Sequence, residues 1–235
     1  MPDRVELPSD YDDDPGRFRA NLAATQRCSR SGDVHPVVAE RLTREGARLV
    51  LDLGGGTGTL GRVLSPRGVR TMVVDHAAHL AQAPPPRVRA DLSALPCPDD
   101  VADAVACLWV LYHLPEPAVA LREAARVLRP GGRFVAATSA RTNDPELAGL
   151  LPGWGRPGTF DAEDAGGIVA EVFDDVEVVA WDAPMVHLPD RAAAELFLRG
   201  RGLPARDVVT AAATLELPLD VTKRGALIWA RCPVR

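Results

Sequence analysis

Leu49-Val50-Leu51-Asp52-Leu53, running straight into Gly54-Gly55-Gly56-Thr57-Gly58, decides how this chain is read. Five residues of strand pattern end in glycines, and Thr59 to Leu64 then opens a helix that Pro66 and Gly68 close. A strand–glycine–helix turn lets a ligand lie against bare backbone at a helix N-terminus. Gly56-Thr57-Gly58-Thr59-Leu60-Gly61 satisfies G-x-G-x-x-G, and Asp75 follows Gly58 by 17 residues, near the spacing of a ribose-binding acid. The pattern alone does not separate a dinucleotide from another nucleoside. Asp52 does: a carboxylate two residues before Gly54 repels a pyrophosphate and suits a ligand that carries an amino group.

Outward from this turn, short apolar runs alternate with helical periodicity, the pattern of a buried parallel sheet wrapped by helices. Thr71 to Asp75 reads as a second strand, Arg87 to Asp91 as a short third and Asp103 to Val110 as a fourth. Leu121, Ala125 and Leu128 recur at helical spacing, with Arg122, Glu123, Arg126 and Arg129 on the opposite face. Pro130-Gly131-Gly132 ends that helix, and Arg133 to Thr138 follows as a fifth strand. The flanks are less regular. Helices are expected over 17–25, 36–44, 162–173, 191–199 and 205–215, with strands over 176–181 and 225–232. Arg141 to Thr159, rich in Gly and Pro around Trp154, reads as a long loop. Asp12-Asp13-Asp14 suits a helix start, where carboxylates favour the dipole.

Composition narrows the function classes. The 235 residues carry 27 Lys+Arg against 32 Asp+Glu, a formal charge of −5, which argues against a nucleic-acid surface. The apolar run Ala104 to Leu111 is far short of a membrane span. The N-terminus shows neither a basic leader nor an apolar segment, so a cytoplasmic protein is expected. Cys28, Cys97, Cys107 and Cys232 have no metal-ligand spacing, and no metal is expected. Lys223 is the single lysine, and the Arg bias reads as genomic composition.

Asp52-Leu53-Gly54-Gly55-Gly56-Thr57-Gly58 resembles the (D/E)-x-G-x-G-x-G motif of class I S-adenosylmethionine-dependent methyltransferases. Ala90-Asp91-Leu92-Ser93-Ala94-Leu95-Pro96 looks like the family's third motif. Ala104 to Pro117 is similar to the fourth-strand motif of its ubiquinone/menaquinone-type branch, methyltransferase type 11, and Arg126 to Gly132 matches R-x-L-[RK]-P-G-G. The resemblance implies a single α/β domain, a Rossmann-like, doubly wound, seven-stranded sheet, mostly parallel with an antiparallel last strand and helices on both faces. It implies an N-terminal helical lid over 10–45, a cofactor core over 46–139, substrate-side insertions over 140–220 and a last strand over 221–235.

The resemblance further implies S-adenosyl-L-methionine as cofactor, S-adenosyl-L-homocysteine as product, and a small-molecule acceptor, without nucleic acid or membrane, in a monomer or homodimer. Methylation of O or N on a specialised or quinone-like metabolite is the first expectation and C-methylation the next. A nicotinamide-dependent oxidoreductase and a non-catalytic binder are the alternatives, the former opposed by Asp52 and by the lack of Tyr-x-x-x-Lys. The expected cofactor residues are Tyr11, Asp52, Gly54, Gly56, Gly58, Asp75, His76, Asp91, Leu92 and Trp109. His113, after the fourth strand at the sheet's carboxyl edge, is the candidate general base. His35, Tyr112, Trp154 and His187 are candidates for the substrate pocket, with Phe160 and Trp181 as further aromatics.

Overall fold

The computed structural model describes residues 14–30 and 33–234, so the expectation for Tyr11 lies outside the described residues. Among these, β1 (Leu49–Leu53), β2 (Arg70–Asp75), β3 (Arg87–Arg89), β4 (Ala102–Leu108), β5 (Leu128–Ser139), β6 (Asp174–Leu188) and β7 (Leu219–Arg231) form one sheet. Its order is β3-β2-β1-β4-β5-β7-β6. The pairs β1/β2, β1/β4, β2/β3 and β4/β5 are parallel, and β7 runs antiparallel to both its neighbours. The order reverses direction between β1 and β4, so the carboxyl ends of these strands open a crevice there.

Strand periodicity divides the core between two faces. Val105 and Cys107 of β4, with Phe134 and Ala136 of β5, pack against α4 (Pro117–Val127) and α5 (Ala165–Ala170). Ala104, Ala106, Val135 and Ala137 point the other way, onto α2 (Val34–Arg44) and α3 (Thr59–Leu64). Both faces being covered explains the uninterrupted apolar sequence of the central strands. On α4 the expected polar stripe is more than a solvated face. Arg126 bonds Glu123, Asp99 and the carbonyls of Leu95 and Cys97, while Glu123 accepts from the Leu95 N–H, so the helix pins the loop that follows Asp91.

The largest departures from expectation lie in the last third. β6 and β7 are longer than the sequence pattern indicates, and their pairing continues past Gly225↔Trp181 to Leu219↔Leu188. That extension projects beyond Ser139, where β5 ends opposite Gly225. It is half-wet and mixed in polarity, which hides it from periodicity. With α6 (Arg191–Gly200), α7 (Ala205–Ala213) and α1 (Pro15–Cys28) it encloses a separate apolar cluster around Phe197, Leu198 and Leu188. Asp14 caps α1 through the Arg17 N–H and pairs with Arg199 of α6. The helix expected over 162–173 is limited to α5, and β3 stops at Arg89, two residues before Asp91.

Candidate active site

The crevice holds a cavity of about 690 Å³, within the size of small-molecule sites. Its floor is the glycine turn. Gly54 has φ +67°, and a Cβ there would stand 2.2 Å from Val110, so neither the backbone nor the space admits a side chain. Gly55 covers Asp52: a Cβ on it would meet the carboxylate at 2.3 Å. Gly58, the N-cap of α3, packs toward Pro84 and Ala83 and does not line the cavity.

Asp75 ends β2 at the cavity wall and is almost fully buried. Its Oδ2 accepts from the Gly56 N–H and its Oδ1 from the Ala77 N–H, both at 2.8 Å. These bonds fix the carboxylate against the glycine turn and leave further lone pairs for a ligand hydroxyl. His76, Leu92 and Trp109 also line the cavity. Asp91 combines two arrangements: Oδ1 accepts from the Ser93 N–H and hydroxyl in an Asx turn, which holds its pKa below the usual carboxylate value, yet the residue still borders the cavity.

Asp52 is placed differently from expectation. It does not face the cavity but is sealed under the turn, 2% exposed, with Oδ2 lacking a hydrogen-bond partner among the described residues. Burial drives its pKa up to about 7, His35 pulling it down and Asp75 adding to the rise.

His113 ends a short 3-10 turn after β4 and lines the cavity beside Tyr112, with ring centroids 4.6 Å apart. Trp109, the residue directly after β4, has φ +63°, strained for an aromatic residue. Its N–H donates to the Ala137 carbonyl and its ring meets Trp181 edge-on at 6.0 Å. His35 enters from α2: its Nδ1 lies 2.6 Å from Oδ2 of Asp33, the α2 N-cap, and both residues line the cavity. Burial raises the Asp33 pKa, but the His35 imidazole and the Val34 and His35 N–H groups outweigh it and bring it below the usual value.

Two expected pocket residues lie elsewhere. Trp154 donates its indole N–H to the Asn143 carbonyl at 2.8 Å, within the loop after β5, and does not line the cavity. His187 bonds Asp220 across the β6/β7 extension, where the pairing register places them opposite each other. Phe160 is a fully buried core residue beneath Thr138, whereas Trp181 does line the cavity. Sequence reasoning missed Phe18, Asp33, Met185, Phe197, Arg201 and Lys223 on the lid side. Lys223 alone carried a signal, as the single lysine.

A seven-stranded sheet of this order, with a glycine turn and a fixed acid at its switch point, defines the class: a Rossmann-like fold of the methyltransferase type. Residues 51–136 match the family model described as a methyltransferase domain. An uncharacterised methyltransferase of Mycobacterium sp. (strain JLS) is 35% identical over 128 residues, 52% of this chain and 50% of the relative. A ubiquinone biosynthesis O-methyltransferase of Xanthomonas oryzae pv. oryzae is 34% identical over 116 residues, 45% of this chain and 48% of the relative. The chain thus spans about half the length of the curated relatives it matches.

Solved structures extend the likeness of fold across the whole chain. A [4+2]-cyclase aligns with TM-score 0.63 and 19% identity over 97% of this chain and 99% of its own. An N-methyltransferase from Bradyrhizobium japonicum WM9, in complex with S-adenosyl-L-homocysteine, aligns with TM-score 0.51 and 18% identity over 83% of this chain and 84% of its own.

Proposed function

We propose that this chain transfers a methyl group from S-adenosyl-L-methionine to a small-molecule acceptor bound in the same cavity. The observation that carries the reading is the Asp75 carboxylate, held by the Gly56 and Ala77 N–H groups at the cavity wall directly against the glycine turn. The residues fit the cofactor. A turn that excludes Cβ atoms leaves room for a nucleoside, Asp75 suits its ribose hydroxyls, and Asp91 and Leu92 border the expected adenine side. The domain match and the S-adenosyl-L-homocysteine complex of one fold relative support the same assignment.

When bound, the cofactor supplies a methyl group already activated by its sulfonium. The protein's work is then to place the acceptor atom within about 3 to 3.5 Å, exclude water and take a proton where the acceptor must lose one. Lid residues of α1, α2 and β6 close the cavity over the sheet. His113 and the Asp33–His35 pair are two candidate bases among the residues that line it, and Asp33 orients the His35 ring through Nδ1. O- or N-methylation of an apolar, quinone-like or specialised metabolite fits the largely apolar lid wall of Val179, Trp181, Met185 and Leu227.

Thermal unfolding with S-adenosylmethionine, S-adenosylhomocysteine, NAD and NADP tests the cofactor. At about 100 times Kd a ligand adds roughly 2.7 kcal/mol of stability. A shift with the two sulfur nucleosides alone is expected. A shift with NAD or NADP alone rejects the reading.

A further inference from the structure

Across the cavity from the glycine turn, three charged residues from separate elements meet. Asp144, in the loop after β5, is fully buried: its Oδ1 lies 2.5 Å from Lys223 Nζ, and its Oδ2 lies 3.0 Å from Arg201 Nε and accepts from Asn143 Nδ2. Lys223 stands on β7 two residues before Gly225, beyond the edge where β5 ends, and Arg201 directly follows α6. Both cations line the cavity and Asp144 does not.

Among the described residues the charges do not balance. One carboxylate faces two cations, and Glu146, whose charge also acts on Lys223, is engaged by the Thr222 N–H and hydroxyl. Nor is the guanidinium satisfied among the described residues: Arg201 Nε sits at ion-pair distance from Asp144 without hydrogen-bond alignment, and NH1 reaches Asn21 only at 3.4 Å. The Phe197 ring, 4.7 Å from the guanidinium and 5.7 Å from Nζ, compensates part of this charge and walls the apolar side. An uncompensated buried cation is costly, and here burial and Arg201 lower the Lys223 pKa to about 7. A ligand anion would supply what the cluster lacks.

We infer that Lys223 and Arg201 form an anion-anchoring subsite for the acceptor, which is an apolar molecule bearing one carboxylate. The apolar body lies along Phe197, Met185 and Leu227, and the carboxylate meets the underused fork of Arg201 and the Lys223 ammonium. This assignment of the subsite to an acceptor rests on the methyl-transfer reading; the anion site itself does not.

Calorimetry on the full chain, first with S-adenosylhomocysteine and then on that complex with 2-naphthoate and its neutral isostere 2-naphthamide, tests it. The acid is expected to bind at least about tenfold more tightly than the amide. Lys223→Met should weaken the acid by about tenfold or more, with the amide and S-adenosylhomocysteine within about twofold, and Lys223→Arg should restore most of the preference. Equal binding of acid and amide, no binding of the acid, or indifference to Lys223→Met overturns the proposal. If Lys223→Met no longer binds S-adenosylhomocysteine, Arg201→Met and the parent's preference for acid over amide decide. Loss of S-adenosylhomocysteine binding in the parent with the acid preference intact would remove the methyl-transfer reading and keep the anion site.

Discussion

Asp52 lies directly beneath Gly55, so that a Cβ on the glycine would stand 2.3 Å from the carboxylate oxygen. A buried acid and the glycine turn that floors the cavity are thereby one mechanical unit.

Gly55→Ala should therefore displace the turn. Overpacking of this kind costs about 1 to 3 kcal/mol, and S-adenosylhomocysteine affinity should fall by about tenfold or more. Because the clash is with one side chain, Asp52→Ala in the same chain should recover part of the stability, a coupling that urea unfolding of the double-mutant cycle measures. Additive losses would show that the carboxylate turns aside at no cost.

The same acid sets a pH dependence. Its folded-state pKa of about 7 lies above the ordinary 3.8, so between these values the folded chain holds a proton the unfolded chain has released. The contribution of neutral Asp52 is present below about pH 4 and is lost as pH rises toward 7. Asp52→Asn should gain on the parent across that window by about 2 to 4 kcal/mol and then level off. Urea unfolding of both proteins from pH 4 to 8 checks this, and a constant difference would contradict it.

Asp75→Asn keeps the shape but turns an amide toward one of the two N–H groups that now donate to it. Cofactor affinity should fall by about 1.5 to 3 kcal/mol, roughly 10- to 100-fold, by calorimetry with S-adenosylhomocysteine. An affinity within about twofold of the parent would take Asp75 out of the cofactor site.

The two candidate bases are separable by kinetics. Replacing the one that removes the acceptor proton should lower kcat by about 10² or more, whereas a wall residue costs a few-fold. For His35 the loss should be partly reproduced by Asp33→Asn, since Asp33 holds its Nδ1 at 2.6 Å. For His113 it should not, and equal small losses at both would mean that positioning alone suffices.

The central sheet was legible because β1, β2, β4 and the end of β5 are covered on both faces and so spell continuous apolar runs between glycine and proline stops. Gly54, Gly56, Asp75 and Asp91 line the cavity as expected for a related reason: they follow or end strands whose spacing the chain itself sets. Trp154 and His187 could not be placed, because their positions depend on Asn143 and Asp220, partners from other parts of the fold.

The sequence by itself determined the strand–glycine–helix turn, the acid at the end of β2 and the amphipathic α4, all consequences of backbone sterics and local hydrophobic period. Tertiary structure alone decided that Asp52 is sealed under Gly55 rather than offered to a ligand. It also decided that Arg201 and Lys223 meet over the buried Asp144 at one cavity wall. This second outcome depends on how β7 inserts between β5 and β6 and carries its extension over the carboxyl edge. Such contacts join residues tens of positions apart, and no periodicity along the chain encodes them.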